Sequence, residues 1–111
     1  MKGEARKAAI AAYKERKVVA GIYLVRCLAS GGMWIGHWPD ISTIQTRLWF
    51  TLRQDVNPNR ELLDAWRRHG EAAFTFEVVE EFKDEAPSYG RAAELRDRAS
   101  YWRDRFGADA L

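Results

Sequence analysis

The chain has 111 residues, 47% of them hydrophobic and 13% aromatic, with five Trp. That is enough apolar material for one buried core and excludes a disordered chain. The net charge of +2 hides an asymmetry: residues 1–60 carry ten Lys/Arg against four Asp/Glu, whereas residues 61–111 carry eight against twelve. A basic half suits a polyanion-facing surface, and solvated helix faces give the same tally, so on charge alone nucleic acid is one reading among several. A single cysteine, Cys27, excludes an internal disulfide or a CxxC-type metal site and fits a reducing compartment, here taken as the cytoplasm.

In chain order, residues 3–17 read as a helical extension with Ala8, Ala9, Ile10, Ala12 and Tyr13 on a modest apolar side. This segment has no apolar run long enough for a secretory leader or a membrane span. "VVAGIYLVRCL" (18–28) is rich in β-branched and aromatic residues and reads as a strand. "SGG" supplies turn chemistry, and "MWIGHW" is the expected hairpin partner. "PDISTIQTRLWFTLRQ" then places Ile41, Ile44, Leu48 and Leu52 at helical spacing. "DVNPN" breaks that helix, Asn59 can cap the next, "RELLDAWRRHG", and Gly70 can end it.

"AFTFEVVEEF" alternates, with Phe74, Phe76 and Val78 on one face and Thr75, Glu77 and Val79 on the other. A last helix is expected from about Arg91 to Phe106, with Leu95, Ala99, Trp102 and Phe106 along one stripe. Trp66, Trp102 and Cys27 are expected in the core. The order αββααβα predicts a single α+β domain: a small antiparallel sheet of about three strands covered by helices, with its core over residues 18–106.

Two glycine-bracketed tripeptides stand out: GIY at 21–23 and WIG at 34–36, with residues 24–33 between Tyr23 and Trp34. On strands, Gly21, Tyr23 and Val25 share one face, as do Trp34 and Gly36. Arg47 follows in the next helix, then "NRELLDAWRRHGEAAFTFEVVEEF" and a closing helix. This ordered set resembles the GIY-YIG nuclease family, the fold of group I intron homing endonucleases and of the excision-repair incision subunit. The resemblance covers about residues 18–106. It implies a nucleic-acid endonuclease, acting on DNA more readily than RNA, that uses Mg²⁺ or Mn²⁺. In such a site tyrosines activate or orient the attacking water, the arginine offsets the phosphate's developing charge, and a glutamate on the last helix holds the metal.

Carried onto this chain, the expected catalytic residues are Tyr23, Arg47 and His37, the last directly after the motif glycine and titrating near neutrality. Gly21, Gly36, Trp34, Arg53 and Asn59 are the expected substrate contacts, the glycines leaving bare backbone for a phosphate to approach. Two departures stand out. Trp34 has no ionisable hydroxyl, so it can stack on a base or shape a pocket but cannot act as a base. Where relatives carry a histidine four residues after the arginine, this chain has Thr51.

The expected glutamate falls at Ala99 when aligned on the helix Trp, or at Arg98 when aligned on "GRAAELR". The nearest acids, Glu94 and Asp97, lie about 140° and 160° around the helix from Ala99. Together with Glu77 they are the remaining metal candidates. Two rival readings stay open: a catalytically silent nucleic-acid-binding or regulatory relative, and a protein-interaction module using the acidic C-terminal half.

Overall fold

The computed structural model describes residues 18–82 and 88–111, so the helix expected over residues 3–17 lies outside the described residues. β1 (Ala20–Cys27) and β2 (Met33–Trp38) form the expected antiparallel hairpin, in register Tyr23↔Gly36 and Val25↔Trp34. Gly31 sits at φ 79° in the connecting turn, a left-handed backbone that a side chain resists. The turn is closed by the Cys27 amide donating to the Gly32 carbonyl at 2.8 Å.

α1 (Ile41–Arg53) begins where the Asp40 carboxylate accepts from the Ser42 amide at 3.2 Å, the side-chain cap that an orphan helix amide needs. It buries Ile41, Ile44, Leu48, Trp49 and Leu52 against the sheet, the stripe set by their spacing. α2 (Arg60–His69) is capped by Asn59, whose Oδ1 accepts from the Leu62 amide at 3.1 Å, and Gly70 ends it at φ 81°. A short 3₁₀ turn (Glu71–Ala73) leads into β3 (Phe74–Phe82), which pairs antiparallel with β1. α3 (Ser88–Phe106) starts three residues earlier than its apolar stripe indicates.

The sheet differs from expectation in two ways. A fourth strand, β4 (Asp109–Ala110), runs parallel to β2, so the order is β3-β1-β2-β4 and the sheet is mixed rather than antiparallel. Neither its brevity nor its polar Asp109 marks it as a strand; its partner across the chain does. Second, the β1–β3 register shifts between Ile22 and Tyr23, which pair with Glu80 and Val78 and leave Val79 as a bulge. The extra residue turns the rest of β3 over. Phe74 and Phe82, of the same parity, therefore lie in clusters on opposite faces.

Tyr23, Val25, Cys27 and Trp34 pack beneath α1 and α2. There Trp49 meets Trp66 edge-on at 5.5 Å and Phe76 at 6.0 Å, contacts worth about 0.5–1.5 kcal/mol each beyond burial. Ile22, Leu24, Ile35 and Phe82 pack on the other face beneath Leu95 and Ala99, with Trp102 and Phe106 along the same stripe. The Trp102 indole N–H donates to Glu80 Oε1 at 2.8 Å, so its ring is apolar-packed with its polar end satisfied.

Candidate functional site

A pocket of about 380 Å³ opens where β1, β2 and α1 converge with the segment before α2 and the C-terminal residue Leu111. Tyr23, His37, Arg47 and Asn59 all line it, so four of the eight expected catalytic and substrate-contact residues meet in one place. Tyr23 on β1 and Arg47 in the middle of α1 enter it from the same sheet face, whereas His37, paired with Ile22 near the end of β2, borders it with its side chain on the α3 face.

Tyr23 is only 4% exposed, and its ring stacks on Phe76 at 5.2 Å. Burial pushes its phenol well above the ordinary value, so at neutral pH it is a hydrogen-bond donor and not a base. His37 moves the other way. Burial first, then the charges of Arg96 and Arg103 on α3, hold its imidazole below the usual range, so at neutral pH it is uncharged and able to accept a proton. Arg47 is exposed, and its guanidinium lies 5.3 Å from the centre of the Trp38 ring. Among the described residues it makes no hydrogen bond or ion pair, which leaves its donor fork available to an anion.

The motif glycines have a different purpose from the one the sequence suggests. A Cβ on Gly36 would lie 2.5 Å from both Cζ and Oη of Tyr23. A Cβ on Gly21 would lie 2.8 Å from the Glu80 carbonyl and 3.0 Å from Ile41 Cγ1. Gly36 makes room for the tyrosine ring, and Gly21 for β3 and the start of α1; neither leaves a bare backbone platform for phosphate. Trp34 is likewise not a base-stacking surface. It is buried against Phe74, with centroids 6.4 Å apart, and its indole N–H has no partner. Trp38, not Trp34, is the tryptophan in the pocket wall, and it is half-buried there.

Arg53 lies outside the pocket, in a two-pronged pair with Glu71 at 2.6 and 3.0 Å. Asn59 is in the wall, but its amide is engaged at both ends: Oδ1 caps α2, and Nδ2 donates to the Ala110 carbonyl at 3.3 Å. Thr51 also lines the pocket. Its hydroxyl donates to the Leu48 carbonyl at 2.8 Å and accepts from Asn57 Nδ2 at 3.0 Å. Asn57 is a buried polar residue whose Oδ1 accepts from the Asn59 amide at 2.9 Å, so it holds this wall together. The sequence marks Asn57 only as part of a helix-breaking stretch; its burial depends on Thr51, six residues earlier in the last turn of α1.

The described residues do not fit a protein-held divalent ion. No group of three or more His, Cys, Asp or Glu among them is placed to hold one. Ala99 is 1% exposed and packs with Ile22, Leu24 and Ile35, on the sheet face opposite Tyr23. Glu94 pairs with Arg91 at 3.3 Å, Asp97 is exposed on α3 away from the pocket, and Glu77 is exposed on β3 opposite Leu24.

The hairpin, the two helices after it and the long helix crossing the sheet make a fold like that of GIY-YIG nucleases. The particular likeness is to the catalytic domain of homing endonuclease I-TevI, with TM-score 0.67 and 16% identity over 83% of this chain and 97% of that one. A mutant of the catalytic domain of intron endonuclease I-TevI gives TM-score 0.67 and 19% identity over 81% of this chain and 86% of that one. At these identities the likeness is one of fold. No protein-family model matches the chain, and no curated protein matches its sequence.

Proposed function

We propose that this domain grips the phosphodiester backbone of a nucleic acid, DNA in preference to RNA, in the Tyr23–His37–Arg47 pocket and hydrolyses it. The observation that carries the reading is the uncommitted Arg47 guanidinium in one pocket with the protonated Tyr23 phenol. Both fold neighbours are catalytic domains of endonucleases, which supports the same reading. In the proposed step a water oxygen bonds to phosphorus as its proton passes to solvent, and the opposite P–O bond breaks, the leaving oxygen taking a proton from water. Arg47 contacts the phosphoryl oxygens as their charge grows, and Tyr23 donates a hydrogen bond to one of them. A charge-stabilising donor contributes about 2–4 kcal/mol.

The buried Ala99 favours a second reading, in which the same pocket binds nucleic acid without cutting it. Incubating the chain with single- and double-stranded substrates and supercoiled plasmid, in Mg²⁺, Mn²⁺ and EDTA, tests both. Nicking that disappears in Arg47→Ala supports hydrolysis. Salt-sensitive binding without nicks supports the binding-only reading. No binding even at low salt rejects both and leaves the protein-interaction reading.

A further inference from the structure

Arg47 is exposed on α1, and an exposed arginine ordinarily samples many rotamers, which a ligand must then restrict. One contact limits that freedom. Side chains on a helix lean toward its N-terminus, so Arg47, in the middle of α1, is carried back toward the end of β2. There its guanidinium carbon lies over the Trp38 ring, 5.3 Å from the centre. Among the described residues, no other Lys or Arg and no Asp or Glu lines the pocket.

Trp38 is itself well anchored. Its register opposite Gly21 puts it on the Tyr23 face of the sheet, and it packs against the core cluster that holds Tyr23, Ile44 and Leu48. Pro39 follows it, and a residue before proline is confined to extended backbone, which is what the last residue of β2 requires. A cation over a ring is attracted through the ring's π face, and that attraction uses none of the guanidinium's N–H donors. All five therefore stay available to an anion.

Taking the proposed phosphate-gripping reading as its basis, we propose that Trp38 is a positioning residue for Arg47, holding the guanidinium in the pocket before the phosphodiester arrives. A donor fixed in advance stabilises phosphate better than one that must first be ordered, because its rotamer freedom is already restricted. Trp38 thus acts through Arg47 and makes no contact of its own with the nucleic acid.

The test is a double-mutant cycle read by fluorescence anisotropy, using the full chain and labelled single- and double-stranded DNA across a KCl series. Trp38→Leu keeps an apolar side chain in the wall and removes the π face. In the wild-type background it should weaken binding about 2- to 5-fold, the shift an exposed cation–π contact gives. In the Arg47→Ala background the same substitution should change nothing. Arg47→Ala should lower the slope of log affinity against log salt by about 0.7 on single strands or 0.9 on duplex, whereas Trp38→Leu, with the charge still present, should keep it. Trp38→Phe has a weaker π face and should fall between wild type and Trp38→Leu; if Trp38→Leu melts early, the cycle is run on Trp38→Phe.

Unchanged affinity in Trp38→Leu overturns the inference. So does an equal loss in both backgrounds, because the indole would then touch the nucleic acid itself or merely fill the wall, and Arg47 would keep its phosphate role. Unchanged binding in Arg47→Ala, or no wild-type binding at all, overturns the phosphate reading together with the inference.

Discussion

Gly36→Ala tests the geometry at the heart of the pocket. The added methyl would lie 2.5 Å from Tyr23 Cζ and Oη, against 3.4 Å for ordinary contact, so the ring must retreat by about 0.9 Å. The ring has little room, being 4% exposed and stacked on Phe76. Sliding within its slot costs about 1–3 kcal/mol as overpacking. Expelling it forfeits about 1.5–3 kcal/mol of burial and the aromatic stack besides, for a total of about 2–4 kcal/mol. For a domain of this size that is a fall in Tm of roughly 5–15 °C. Urea denaturation of Gly36→Ala, Tyr23→Ala and the double variant gives the decisive number. Truncating the ring removes the clash, so the double variant should be more stable than the sum of the two losses by about 1–3 kcal/mol. If Gly36→Ala is as stable as wild type, or if the two losses simply add, the ring is not over Gly36. Loss of DNA binding at unchanged stability would instead restore the glycine as an approach path for phosphate.

Arg47→Ala should melt like wild type and lose about 30- to 1,000-fold in cleavage, or a comparable share of binding, because it removes a donor fork and little packing. Tyr23→Phe keeps the stacked ring and should shift Tm by only a few degrees while slowing cleavage; full activity would make Tyr23 a packing residue alone. Ala99→Glu forces a carboxylate among Ile22, Leu24 and Ile35 and should cost several kcal/mol, with no recovery in Mg²⁺ or Mn²⁺. Recovery of stability and cleavage on adding metal would show a working ligand position there. His37→Gln addresses pH. The folded pKa of His37 lies below the unfolded 6.5, so its neutral form is favoured in the fold, and that stability is present above about 6.5 and lost as pH falls through the folded value. Chemical denaturation should show wild type losing stability relative to the variant as pH drops below about 6.5. Parallel pH curves would show that His37 is not shielded.

Local chemistry was legible in the chain. Asn59 reads as a cap because a short acceptor before an apolar helical run has one obvious use, and the Leu95–Phe106 stripe fixes which side of α3 meets the sheet. The meeting of Tyr23 with Arg47 followed from the resemblance, which supplied a long-range pairing that periodicity lacks. What could not be read depended on partners distant in sequence. Nothing near Gly36 says that a tyrosine ring will cover it, and nothing near Trp34 says that Phe74 will bury it. The turn-over of β3 comes from one bulged residue, which strict alternation cannot show. His37 gave no hint of Arg96 and Arg103, because their meeting depends on how α3 crosses β2.

One wall of the pocket is made by the least anchored element of the sheet. β4 has two residues, and this corner is fastened by the Leu111 amide donating to the Ile35 carbonyl at 2.9 Å and by Asn59 reaching across 51 positions to Ala110. So short a strand detaches for far less free energy than the β1–β3 ladder, since so few bonds must break. The aperture is therefore adjustable: peeling away the last three residues would widen the cleft without disturbing Tyr23, His37 or Arg47. Native-state hydrogen exchange should show the Leu111 amide opening well before that of Ile22, and a bound strand long enough to press on this corner should hasten it.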